Sequence, residues 1–125
     1  MSYRITLSES GEFYRIVALE DVTVELARQW LAEVNDLSRE QEVSCFLFDV
    51  RNARNISSDL ENYYLARRDA DRLGLERDAR TAILVSEGDT SYDFVETTMQ
   101  NAGFNVRIFT NEQAAAQWLD EFRGG

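Results

Sequence analysis

The chain contains no histidine, no lysine and no proline, and its one cysteine is Cys45. Each absence removes a class of chemistry. Without histidine there is no Ser-His-Asp or Cys-His relay, and without lysine there is no Schiff-base amine and no phosphate-loop lysine. Zinc sites draw chiefly on Cys and His, so one cysteine alone cannot supply four ligands. Carboxylate sites for Mg²⁺ or Ca²⁺ stay open, yet no loop of the Asp-x-Asp-x-Asp-Gly type is present. The lone thiol rules out an internal disulfide and makes a reducing cytoplasm the expected compartment. Lying within the apolar run Val43 to Val50, Cys45 reads as a small buried hydrophobe. The expectation is therefore a protein that is not an enzyme and needs no metal or cofactor.

At 125 residues the chain matches a single domain, 1–125, with enough length to bury one core. Its apolar runs fall far short of a membrane span, and the start, Met1 to Thr6, lacks a signal-peptide core. The net charge is −10, from 23 acidic residues against 13 basic ones, every one an arginine. A field of that sign repels nucleic-acid phosphates and anionic lipid heads. A protein partner is the expectation; a small ligand and self-association stay open, and nucleic acid and membrane do not.

Tyr3, Ile5 and Leu7 alternate with polar residues as in a half-buried strand, and Ser10-Gly11 supplies a turn into a second strand from Glu12 to Leu19, expected to be covered on both faces. Asp21 or Thr23 caps a helix carrying Ala27, Trp30, Leu31, Val34 and Leu37. Val43 to Val50 is the most hydrophobic strand and belongs in the middle of the sheet. Ser58 and Glu61 have capping-box spacing, opening a second helix with a stripe of Leu60, Tyr63, Tyr64, Ala70 and Leu73, which places at least one tyrosine in the core. Gly74 ends that helix. Thr81 to Val85 forms the next strand, Asp89 or Thr90 opens a third helix with Phe94, Val95 and Met99, and Gly103 closes it. Phe104, Val106 and Ile108 mark a fifth strand. Thr110 and Gln113 cap a last helix with Ala115, Trp118, Leu119 and Phe122 on one face.

The order is ββαβαβαβα, which implies an α/β fold with a five-stranded, mostly parallel sheet and four helices. Ligands of such sheets meet the carboxyl ends of the strands, here residues 49–59, 86–91 and 110–113. A strand ending at Asp49 has the look of a receiver phosphoacceptor strand, but a receiver also needs a lysine after its last strand. Asp49 reads instead as a strand-end carboxylate to be paired with Arg51 or Arg54.

The element order, with Phe46 to Val50 followed by a loop and Ile56-Ser57-Ser58-Asp59-Leu60 at a helix start, resembles the SpoIIAA-like, or STAS-type, domain family. Arg80 to Val85, Asp93-Phe94, Ala102 to Phe109 and Ala116 to Leu119 look like a bacterial branch of small SpoIIAA-like proteins. In the anti-sigma-factor antagonists of that superfamily an Asp-Ser-Ser-Gly-Leu stretch at this position carries a phosphorylated serine. The resemblance implies Ser58 or Ser57 as the acceptor, although Ile56 and Asp59 stand where that motif has its aspartate and glycine. It also implies a regulatory or protein-interaction role. The alternative is a carrier of a small apolar or amphipathic ligand. The candidate interaction or ligand edge comprises Asp49, Arg51, Arg54, Asp59, Tyr63, Tyr64 and Phe94. A cavity lined by Tyr63, Tyr64 and Phe94 would favour the carrier, and an exposed apolar patch above Ser57 the interaction module.

Overall fold

In a computed structural model, which describes residues 2–123 and the side chains of 2–121, five strands lie in the spatial order β1 to β5, the same as their order along the chain. The strands are β1 (Tyr3–Leu7), β2 (Tyr14–Ala18), β3 (Cys45–Asp49), β4 (Arg80–Leu84) and β5 (Asn105–Phe109). Strand β1 pairs antiparallel with β2, and all later neighbours are parallel. The described helices are α1 (Val24–Gln41), α2, α3 (Asp93–Asn101) and α4 (Glu112–Arg123). Helix α2 joins an α-helical start (Asp59–Tyr64), a π-helical turn (Leu65–Asp69) and an α-helical end (Ala70–Leu73). Among the described residues no helix is long and apolar enough to cross a membrane.

Adjacent parallel strands joined through helices α1, α2 and α3 need crossovers, and a shared handedness puts all three helices on one face. The main core lies there: Ile16, Phe48, Ile83 and Val106 from the sheet meet Trp30, Val34, Leu65 and Met99 from the helices. Trp30 packs at 5.3 Å between ring centres on Phe48 and edge-on to Tyr3 at 6.0 Å. The alternate residues Cys45, Leu47, Ala82 and Leu84 point to the other face, where Ala115 and Leu119 of α4 cover them. Period-two alternation in the central strands thus fills two layers at once.

That asymmetry corrects the expectation for β2. Tyr14, Ile16 and Ala18 are buried, but Arg15 and Val17 on the opposite face are only half-buried, and Leu19 is exposed. Helix α4 packs over β3, β4 and β5, so β2 is fully covered on one side alone. Trp30 is in the main core, whereas Trp118 is half-buried at the edge of the α4 layer, against Phe109 and under Arg80. The side chain of Phe122 lies outside the described residues.

The helix ends show how local signals acted. Thr23 Oγ1 accepts from Leu26 N, capping α1, and the helix runs past Ser38 to Gln41. Gly74 ends α2 in the left-handed region at φ 70°, with Leu75 N bonded to Ala70 O. Asp89 does not cap α3: its carboxylate accepts from Ser91 N in a local turn, and the helix starts at Asp93. At α4 the cap is Asn111 rather than Thr110, with Oδ1 accepting from Ala114 N at 2.9 Å. Gly74→Ala forces a side chain into left-handed backbone and brings a Cβ to 2.7 Å from Arg39 Nη2. It should lower unfolding free energy by about 1–2 kcal/mol in urea titrations, with the arginine free to swing aside.

Candidate functional site

The loops at the carboxyl ends of the strands are tied to one another. Val22 and Asn55 form a parallel bridge, with Val22 N donating to Arg54 O and Ile56 N to Val22 O. Asn55 donates through its backbone N to Ser91 Oγ and through Nδ2 to Ser91 O, each at 3.0 Å. Buried Tyr92 donates its hydroxyl to Ala53 O at 3.1 Å, and burial followed by the charges of Asp89 and Asp21 pushes its pKa up. An open depression of about 440 Å³ runs over this edge, lined by both Arg51 and Arg54 and by Asp21, Glu87 and Asp89. Mixed signs of charge make it a poor anion site.

The candidate residues fall on two different sides of the sheet. Phe48 faces the three-helix layer, so its neighbour Asp49 faces the α4 side. There it meets Arg51 Nη2 at 2.7 Å and Arg15 Nη1 at 3.3 Å, while Glu112 at the start of α4 takes Arg15 Nη2 at 2.7 Å and Arg51 Nη2 at 3.0 Å. The four side chains close a ring that joins β2, β3 and α4. Burial alone pushes the Asp49 carboxyl up, but the hydrogen bonds from Arg51 and the charges of Arg51 and Arg15 outweigh it and hold the group below the ordinary aspartate range. A carboxylate so held is a weak base. Arg51, the expected partner, is confirmed; Arg54 instead donates its backbone N to Asp21 Oδ1 at 3.0 Å.

Ser57, Ser58, Asp59, Tyr63, Tyr64 and Phe94 lie on the opposite side, around the start of α2. Ser58 Oγ accepts from Glu61 N at 3.1 Å while Ser58 N donates to Glu61 Oε1 at 2.9 Å, the reciprocal capping box read from the spacing. Ser57 is half-buried, its N donating to Asn55 Oδ1. Asp59 is exposed in the first helical turn, where its charge complements the helix dipole.

The expected stripe along α2 mixed two faces. Ala70 is buried and Leu73 half-buried, but Leu60, Tyr63 and Tyr64 point outward, so neither tyrosine is core. The inward face is Asn62, Leu65, Ala66, Asp69 and Ala70. Its two polar members hid it in the sequence. Asp69 tolerates burial because Arg28 Nε on α1 approaches its Oδ2 at 2.8 Å and Arg68 Nε its Oδ1 at 3.4 Å. Burial raises the Asp69 pKa, and the hydrogen bonds and charges of Arg28 and Arg68 more than reverse that. In the π-turn Ala70 N donates to Leu65 O, five residues back, which places Leu65 and Asp69 together against the core. On the outer face Arg67 and Arg68 stack over Tyr63 and Tyr64 at 5.8 and 5.0 Å.

Between the helix layer and the sheet lie two apolar cavities with shared walls, one of about 80 Å³ beneath α2 and one of about 70 Å³ beyond the end of that helix, beside Leu75 and Ala79. Leu31, Phe48, Thr81, Met99 and Val106 line both. Helix α2 contributes Asn62 and Leu65 to the larger one and α3 contributes Val95; Tyr63, Tyr64 and Phe94 do not line it. Arg15, Glu112, Arg28, Asp69 and Asn62 were missed by motif reading. A single signal existed for the first, since Arg15 is the lone charge in an otherwise apolar strand. Among the described residues no group of three or more Asp, Glu or Cys side chains is placed to hold a metal. No family model matches the chain, and neither does any curated protein.

Asp49→Asn removes the centre of the four-residue ring and should cost about 2–3 kcal/mol at pH 7, less than a fully buried pair because Arg51 is partly exposed. The wild-type advantage depends on a lowered folded pKa. It is therefore present above the unfolded aspartate value and is lost as pH falls below about 4. Urea titrations of both proteins from pH 7 to 2 should show the two stabilities converging at the acid end. Ser58→Ala removes one half of the capping box and should cost about 1 kcal/mol by the same measurement.

Proposed function

We propose that this chain is a non-enzymatic regulatory or protein-interaction module of SpoIIAA-like fold, acting in the cytoplasm by docking a protein partner on the outer face of α2. One observation carries the reading. Ile56, Leu60, Tyr63, Tyr64 and Phe94, with exposures of 59%, 62%, 44%, 43% and 37%, gather at the start of α2 and of α3, two helices that pack on each other. Large apolar side chains clustered on an otherwise charged surface mark an interaction site rather than ordinary scatter. Tyrosine, leucine and phenylalanine also form good anchors, because they offer large contact area for few rotatable bonds. The sequential ββαβαβαβα order supports the SpoIIAA-like assignment.

Ser58 and Ser57 sit beside this face, and they are the proposed switch. A phosphate on Ser58 would displace its hydroxyl from the capping role and put about two negative charges at the helix start, altering the face that the partner meets. Incubation with source-cell lysate and ATP should add phosphate at Ser57 or Ser58, read by mass spectrometry; an unmodified chain counts against the switch.

A second reading, the carrier of a small ligand, is favoured by the paired cavities. Native mass spectrometry of protein taken directly from its source cells separates the two readings, since a retained small molecule supports the carrier and a retained polypeptide the docking module. Replacing Leu60 and Tyr64 together with serine should leave the melting temperature within a few degrees of wild type, both residues being exposed, and abolish retention of the polypeptide. Retention unchanged by that double variant would sink the docking face.

A further inference from the structure

We infer that the paired cavities between the helix layer and the sheet bind a small neutral molecule with a ring-sized apolar body and one hydrogen-bonding group, and that Asn62 receives that group. The inference rests on the carrier reading for its biological use and specifies the class of ligand. Volume is the first support. The two cavities, about 80 and 70 Å³, adjoin along Phe48 and Met99. An apolar protein cavity of on the order of 150 Å³ takes up benzene; the larger cavity alone has about half that volume, and movement of the shared Phe48 and Met99 side chains would join it to the smaller one.

Asn62 is the second and independent support. It is only 5% exposed, its side chain borders the larger cavity, and its carboxamide has no hydrogen-bond partner among the described residues. No Asn62 atom is both sealed and unpartnered, so its amide stays open to the space it borders. With one acceptor oxygen and two donor hydrogens it can meet a hydroxyl or a carbonyl equally well. Residues lining the larger cavity are all uncharged and Glu76 borders only the smaller one, so an ionised group held against Asn62 would lose its hydration without compensation. The other polar side chains of the lining that come from the strand-end loop, Asn55 and half-buried Ser57, mark the end from which a ligand enters. Leu65, the first residue of the π-turn, forms part of the wall.

Phenol, benzene and benzoate serve as probes, titrated into the full chain and followed by ligand-observed NMR and by backbone amide shifts. Phenol should bind saturably and shift the amides of Leu65, Val95 and Met99. Benzene should bind about tenfold more weakly for want of one hydrogen bond, and benzoate not at all. Asn62→Leu should erase the preference for phenol over benzene, and Val95→Phe should block both. Absence of saturable phenol binding to the folded wild type overturns the inference, and so does a phenol preference that survives Asn62→Leu. The wild-type titrations decide even where a variant does not fold. Phenol binding by a protein that leaves its source cells with no small molecule attached would sink the carrier reading and spare the site.

Discussion

Sequential strand order is the constraint from which the other features follow. Because each parallel strand lies beside the one before it, the three connecting helices share one face of the sheet, and only the terminal helix is left for the other. Strand β3 feels both consequences: Phe46 and Phe48 enter the thick layer, Cys45 and Leu47 the thin one, and all are buried. Three helices packed side by side on a twisted sheet leave space between their inner faces, and the cavities lie in that space. The thin layer covers less apolar surface, and there the ring of Arg15, Asp49, Arg51 and Glu112 closes the edge between β2, β3 and α4.

Much of this frame was readable from the sequence. Alternating residues marked Tyr3 to Leu7 and Val106 to Ile108, the continuous apolar run marked β3 as central, and the Ser58 and Glu61 spacing gave the capping box. These signals are local, and the physics behind them acts over three or four residues. Gly74 and Gly103 were equally legible, since each takes a positive φ at a helix end. The expected class, α/β with a five-stranded mostly parallel sheet and four helices, is the one observed.

What escaped depends on pairs distant in the chain. Asp69 reads as a surface residue until Arg28, 41 positions away, is brought against it. Once it is buried, the inner face of α2 runs through Asn62 and Asp69, and the tyrosines turn outward. The same logic hid Glu112, whose partners Arg15 and Arg51 lie 97 and 61 positions earlier. Asp89 and Thr110 were plausible caps by residue type, but Asp89 closes a turn of its own and Asn111 reaches the backbone that Thr110 was expected to serve. Propensity ranks candidates at helix ends; geometry chooses among neighbours.

Helix α4 follows β5, the last described strand, and closes no crossover among the described residues. The other helices each connect two paired strands, so removing one means pulling the sheet apart, whereas α4 is held on the sheet by its side chains. Its hold includes Ala115 and Leu119 on the sheet, the Arg80 guanidinium bonded to Trp118 O at 2.7 Å, and the Glu112 ion pairs. The described fold is therefore a strand-and-helix succession with a one-helix cover, and its amide protons should be ranked accordingly in hydrogen exchange. The cover opens first, while the thick layer exchanges only with global unfolding.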